Sequence, residues 1–215
     1  MSLSDRIQYK KYNIRLIEPI LGSLPASKTV YQDFIASKAP EPDIEGEEEI
    51  GMLPDRESNE RTKTTVFLRD DDGLCCLMDY QIMGFIKEAG NTLKKIIEYE
   101  VQSKNGKSKK TGIINLRSKL TQYLYLGPRI IHLHREPDGV YERPVKIINK
   151  EGVRVCLASS EIINPELSFE IMIGLLPHDE LSWSVIEQIL EYGQFKGLGQ
   201  FRNGGYGRFT FDRSS

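Results

Sequence analysis

Hydrophobic and polar residues alternate near the start of the chain. Tyr12, Ile14 and Leu16 fall on one side of an extended segment, Asn13 and Arg15 on the other, and Pro19 ends the regular part. This period of two predicts a half-buried strand. The segment ELSFEIMIG repeats it, with Leu167, Phe169, Ile171 and Ile173 facing one way and Ser168, Glu170 and Met172 the other. A further strand is predicted at RFTF, where Phe209 and Phe211 alternate with Arg208 and Thr210. TTVFLRDDDGLCCLM reads as a hairpin, with turn residues Asp70 to Gly73 between two apolar runs. LTQYLYLG, RIIHLHRE, PVKIIN and GVRVCLAS read as short strands.

Two segments follow the helical period instead. Ile82, Phe85, Ile86 and Ala89 share one face of a helix within 80–97, with Asp79 as its N-cap. Trp183, Ile186, Ile189 and Leu190 form the stripe of a second helix near Ser182–Tyr192. Ser184 and Glu187 are spaced as a capping box for it, and Gly193 supplies a stop. Strand, helix, glycine-rich loop and strand make half of a split βαβ unit. The first strand, the hairpin and the first helix make the other half. The expected fold is α+β: a ferredoxin-like antiparallel sheet with helices on one face, plus insertions.

The chain has 215 residues, which fits one elaborated domain over 1–215. Its net charge is −2, which excludes a generic basic nucleic-acid coat, but the charges are segregated. Residues 41–60 hold nine acids and one base, Arg56, while residues 94–119 hold eight bases and two acids, Glu98 and Glu100. An acidic, proline-interrupted insertion is expected at about 40–62, read as a mobile loop. A basic loop is expected at about 103–112. No apolar run reaches the length of a membrane span, and MSLSDRIQYKKY lacks an apolar signal core. Cys75, Cys76 and Cys156 form neither a disulfide framework nor a zinc pair. The expected compartment is intracellular and reducing, hence cytoplasmic.

The candidate chemistry lies mainly in GQFKGLGQFRNGGYG. Six of the eighteen glycines fall between Gly193 and Gly207, directly behind a helix and before the last strand. Ordering glycines costs entropy, so the run reads as a shaped loop lying close to something. It is not a dinucleotide fingerprint, which needs the strand before and the helix after. It is not a P-loop either, because Gly205-Tyr206 stands where Lys-Ser/Thr is required. Its residue types suit single-stranded RNA: Lys196, Arg202 and Arg208 for phosphates, Phe201 and Tyr206 for splayed bases, and the amides of Gly197, Gly199, Gly204 and Gly205 for phosphate oxygens. The alternative is that the rings pack on the sheet and the glycines relieve crowding.

His132 and His134 form the one close histidine pair. H-x-H on a strand sets both rings on one face, as two metal ligands or as an acid and a base for cleavage driven by a 2′-hydroxyl. Two polar side chains on an outer strand face is the plainer reading. Glu161 behind Ser159-Ser160 reads as a strand-terminal turn, and Asp70-Asp71-Asp72 as a solvated hairpin tip. No cofactor motif or metal motif is present.

The glycine-rich loop after a helix near the C-terminus, with arginines and a closing strand, resembles that of the CRISPR-associated RAMP superfamily. The opening strand running into IEPILGS and the helix segment MDYQIMGFIKEAG are similar to that family as well. The resemblance implies a ferredoxin-like fold related to the RNA recognition motif. It also implies guide or precursor RNA as ligand, other protein subunits as partners, and a CRISPR-type or phage and mobile-element setting. Three functions follow as expectations. The first is a non-catalytic RNA-binding subunit of a ribonucleoprotein. The others are a metal-independent RNA endonuclease using His132 and His134, and a ferredoxin-like interaction protein that binds no nucleic acid.

Overall fold

A computed structural model describes residues 2, 4–26, 64–102, 108–149 and 152–214. The expected acidic insertion at 40–62 lies outside them.

Four strands build the central sheet: β1 (Gln8–Leu16), β9 (Leu124–Gly127), β13 (Ser168–Leu175) and β14 (Phe209–Arg213). The spatial order is β14–β1–β13–β9, antiparallel throughout. Helix α1 (Asp79–Leu93) lies between β1 and β9 in sequence, and α3 (Trp183–Glu191) between β13 and β14. Counted along this core, the pattern is βαββαβ with strand order 4-1-3-2. That is the ferredoxin-like arrangement.

The alternation in β1 and β13 puts Tyr12, Ile14, Leu16, Phe169, Ile171 and Ile173 on one face. Ile82, Phe85, Ile86 and Ala89 of α1 cover that face, together with Val185, Ile186, Ile189 and Leu190 of α3. Each fully buried Ile or Phe contributes roughly 1.5–3 kcal/mol of transfer free energy. Trp183 is only half-buried, and its indole Nε1 donates to Gln8 Oε1.

The insertions form smaller sheets. β5 (Leu68–Arg69) and β6 (Cys75–Met78) are the expected hairpin, and β10 (Ile130–His132) joins β6. A long hairpin of β11 (Gly139–Asn149) and β12 (Gly152–Ile163) continues into β4 (Thr64–Val66) and β3 (Leu24–Pro25). β2 (Ile20–Leu21) pairs the end of β12. β7 (Glu98–Gln102) pairs β8 (Ser108–Gly112), so Lys109 and Lys110 of the expected basic loop lie on a strand.

Several local expectations shift. LTQYLYLG is not one strand: its first half belongs to α2 (Leu116–Tyr123), which buries Leu116 and Leu120. α2 closes on α1 at Gly90, where a methyl would lie 2.4 Å from Leu120 Cδ1. Asp79 is the first helical residue of α1 rather than its cap, and Gln81 Oε1 accepts from the Met78 amide. Ser182, not Ser184, stands at the N-cap position of α3, without a side-chain capping bond, so Ser184 and Glu187 both sit inside the helix. Glu187 instead accepts from Tyr12 Oη at 3.1 Å and from Arg213 Nη2 at 2.5 Å. Burial opposes its ionised form, but the bonds from Arg213 and Tyr12 outweigh that and hold its carboxyl below the usual range.

Candidate nucleic-acid interface

The backbone behind α3 turns through a short 3₁₀ segment, Tyr192–Gln194. Gly193 is there for space and not for a left-handed turn: a methyl on it would lie 2.3 Å from Phe209 Cζ. Gly199 (φ +74°), Gly205 (φ +91°) and Gly207 (φ +71°) do take left-handed backbone. A methyl on Gly197 would meet the Gly207 carbonyl carbon at 2.1 Å. The loop therefore doubles back on itself, and Leu198 N donates to Gly207 O at 2.9 Å.

It is also fastened to the β1–β2 turn. Gly207 N donates to Pro19 O at 2.6 Å, and Ile17 N to Arg208 O at 2.9 Å. Gln200 Oε1 accepts from Thr65 Oγ1 at 2.6 Å and Ser160 Oγ at 3.2 Å. The amides of Gly204, Gly205 and Gly207 all bond to carbonyls of the protein. Those three amides are therefore committed within the fold.

The side chains of the loop divide into two groups. Arg202 Nη2 lies 2.7 Å from Glu88 Oε2 of α1, and Lys196 Nζ lies 3.6 Å from Glu88 Oε1. Lys196 also donates to Asn203 Oδ1. Both cations are thus partly neutralised by one carboxylate. Arg208 is different: its Nε is buried without a hydrogen-bond partner, and a methyl on Gly205 would lie 3.4 Å from its Nη2.

The fold brings two further residues to this place. Tyr141 and Arg143 of β11 are two apart on one strand and share a face. The Tyr141 ring lies 5.1 Å from Tyr206, and Tyr206 lies 5.7 Å from Phe201. The Arg143 guanidinium stacks 3.9 Å above the Phe201 ring centre. Nε and Nη1 of Arg143 are buried without partners. A hydrogen bond with Tyr141, aided by burial, pushes the Tyr206 hydroxyl up to about 12, so it stays a neutral phenol at neutral pH.

The result is three rings in file with the Arg143 guanidinium on Phe201 and that of Arg208 by Gly205, both with buried, unmatched N–H. An unsatisfied buried donor costs about 1–3 kcal/mol. An anionic acceptor reaching this cluster would recover that cost. Tyr141 and Arg143 were not singled out from the sequence. Their signal was the YER triplet at the base of a predicted strand, which says nothing of the loop it faces.

The histidine pair is elsewhere, beside the β5–β6 turn. His132 ends β10, but His134 takes a left-handed φ of +51° and is not on the strand. The rings are still stacked, with centres 5.7 Å apart and planes at 21°. His132 Nδ1 lies 2.8 Å from Asp70 Oδ2. Asp70 Oδ1 also accepts from the Leu74 amide, so this hairpin tip is a built turn and not merely solvated. The hydrogen bond to His132 is the largest cause holding the Asp70 carboxyl below its usual range. Among the described residues no group of three or more His, Cys, Asp or Glu is placed to hold a metal ion.

Glu161 does not end a turn. It lies within β12 at 1% exposure, with both carboxylate oxygens 2.8 Å from Arg69 Nη2, and it accepts from Phe67 N. Its role is to join β12 to β5. Cys75 and Cys76 are buried, and desolvation pushes each thiol up to about 12, which leaves them unreactive.

The fold and site define a class: a ferredoxin-like α+β protein carrying a folded glycine-rich loop. No family model matches the chain, and no curated protein matches it in sequence. Among solved structures it is similar to a chain from a cryo-EM structure of the type III-B Cmr-beta complex bound to cognate target RNA. That similarity has 11% identity and a TM-score of 0.47, covering 99% of this chain and 61% of the other. This chain thus spans under two thirds of that chain's length. Among the described residues no helix is long and apolar enough to cross a membrane.

Proposed function

We propose that this chain is a RAMP-like RNA-binding protein acting as a non-catalytic subunit of a larger ribonucleoprotein, CRISPR-type or phage-encoded. One observation carries the RNA reading. Arg143 holds unpartnered N–H groups against the ring file Tyr141, Tyr206 and Phe201, and Arg208, with an unpartnered Nε, lies by Gly205 of the same loop. Guanidinium groups suit phosphate, and rings suit unstacked bases. Lys196 and Arg202 extend the positive surface, and Gly197, Gly199, Gly204 and Gly205 give the loop the close fold that sets these side chains beside β11. Other protein subunits are the expected partners.

Fluorescence anisotropy with a short labelled single-stranded RNA over a salt series tests this. Arg143→Ala and Arg208→Ala should each weaken binding and reduce the salt slope by about one unit. Tyr206→Ala should cost about 1–3 kcal/mol of binding. If the wild type binds no RNA, or both arginine variants bind as it does, the loop is only a packing element. The protein is then an interaction module.

A second reading is favoured by one contact, the Asp70–His132 hydrogen bond with His134 stacked beside it. A carboxylate that orients one imidazole next to another suits metal-independent cleavage of RNA. Loss of cleavage in EDTA-treated protein on His132→Ala would support it. Intact RNA after prolonged incubation with wild type would remove it.

A further inference from the structure

Three strands of the sheet built on the long hairpin share one row. Tyr141 of β11 pairs Ser160 of β12, and Ser160 pairs Thr65 of β4. Side chains of paired residues point to the same face, so Tyr141, Ser160 and Thr65 stand in line. Arg143 is two residues along β11 from Tyr141 and shares that face. The glycine-rich loop meets this face at three points. Tyr206 lies against Tyr141, Phe201 lies under the Arg143 guanidinium, and Gln200 sits on the two hydroxyls.

Gln200 Oε1 accepts from Thr65 Oγ1 at 2.6 Å and from Ser160 Oγ at 3.2 Å, and the two hydroxyl oxygens are 2.8 Å apart. Ser160 is buried and Thr65 half-buried, so water competes weakly for these bonds. The backbone hold on Gln200 is slacker: its amide donates to Leu21 O at 3.3 Å, beyond the usual range. The next residue is strained. Phe201 takes φ +54° and ψ +35°, a left-handed conformation rare for a bulky side chain. Such backbone persists only where the surroundings over-determine it, and it gathers at ligand sites. The ring has little room to move, because a methyl on Gly204 would lie 2.4 Å from Phe201 Cε1. The Thr65–Gln200 bond thus ties the strained turn to the same sheet face that carries Arg143.

We propose, on the RNA reading of the loop, that Thr65 and Ser160 are positioning residues of the RNA site. Neither touches RNA. By holding Gln200 they keep Phe201 in its left-handed turn beneath Arg143, which sets one ring of the file where a base can stack on it. A hydroxyl pair on two strands thus decides whether the loop presents an ordered ring.

Thr65→Val keeps the branched shape and removes the hydroxyl, while Thr65→Ser keeps the hydroxyl. Anisotropy with a labelled oligouridine, melting temperature, and hydrogen exchange at the Gly204 and Gly205 amides are measured on the full chain. Those amides donate to Phe201 O and Arg202 O and so report the turn itself. Thr65→Val should exchange faster there, lose about fivefold in affinity, the low end for one stacked base, and melt only slightly below wild type. Thr65→Ser should restore both exchange and affinity. In a Phe201→Leu background Thr65→Val should cost no further affinity, because the ring it positions is gone. If Thr65→Val does not fold, Gln200→Met removes the acceptor from the loop side with the same expectations. RNA binding by wild type that Thr65→Val matches overturns the positioning role and leaves the RNA reading standing. Equal losses in Thr65→Val and Thr65→Ser, or a loss that adds to that of Phe201→Leu, overturn it as well, since the two residues would then act only through packing. No RNA binding by wild type overturns both.

Discussion

The α-carbon of Gly197 packs directly on the backbone of Gly207, so closely that a methyl on Gly197 would lie 2.1 Å from the Gly207 carbonyl carbon. Neither partner in this contact is a side chain that can turn away. Gly197→Ala should therefore destabilise by about 1–3 kcal/mol through overpacking. Gly84 is the control: it lies in α1, and a methyl there would meet nothing within 4 Å. Gly84→Ala should stabilise the protein by about 0.5–1 kcal/mol. Urea melts of the two variants check the pair. Equal effects would mean that the loop is loosely packed.

Glu88 holds Arg202 and, at longer range, Lys196. If the loop binds RNA, Glu88→Gln should tighten binding and steepen the salt slope, because two cations are released to phosphates. The pair is on the surface, so stability should change by no more than about 0.5 kcal/mol. Anisotropy titration against thermal melting separates the two effects. Unchanged affinity would exclude Arg202 and Lys196 from the RNA path.

Arg69 and Glu161 form an ion pair that is 15% and 1% exposed at the two side chains. Removing one partner strands the other charge. Arg69→Ala should cost about 3–5 kcal/mol, and the double variant Arg69→Met with Glu161→Gln should cost less than Arg69→Ala alone. Chemical denaturation of the single and the double variant measures the difference. A double variant as damaged as the single would show that the joint between β5 and β12 depends on packing rather than charge.

Asp70 gives a pH signature. Its folded carboxyl is depressed, chiefly by His132, so the unfolded chain binds its proton more readily. The stabilisation is present above the usual carboxylate range and is lost as pH falls through the depressed folded value. Asp70→Asn should thus melt below wild type at neutral pH, and the two should converge in acid. Parallel melting curves from neutral to acid would dismiss the Asp70–His132 bond as a contributor.

The parts of the fold with a clean period were legible in advance. Tyr12, Ile14 and Leu16 name the buried face of β1, and Ile82, Phe85, Ile86 and Ala89 that of α1. α2 was not legible. It buries only Leu116 and Leu120, and the Leu-Tyr alternation that follows it mimics a strand that starts early. Ser184 and Glu187 matched a capping pattern by spacing alone, while Glu187 was bound to Tyr12 and Arg213 from distant strands.

Within the candidate site, the loop glycines stood out because glycine is costly to cluster. Arg143 and Tyr141 did not stand out. Only the register of the long hairpin carries them to Tyr206 and Phe201, and no local pattern encodes that register. Glu88 was hidden for a similar reason: a carboxylate on a helix face does not announce which loop it meets.

The pairing of β1 sets an order of events in synthesis. Both of its neighbours, β13 and β14, come from beyond residue 167, and the last strand ends at Arg213. While the ribosome makes everything between, β1 has no strand beside it in the native sheet. Tyr12, Ile14 and Leu16 must wait with an open edge, a condition that slows folding and invites pairing with other chains. The sheet closes only once Phe209–Arg213 has been made, so a truncation that removes β14 leaves the first strand made bare along one side.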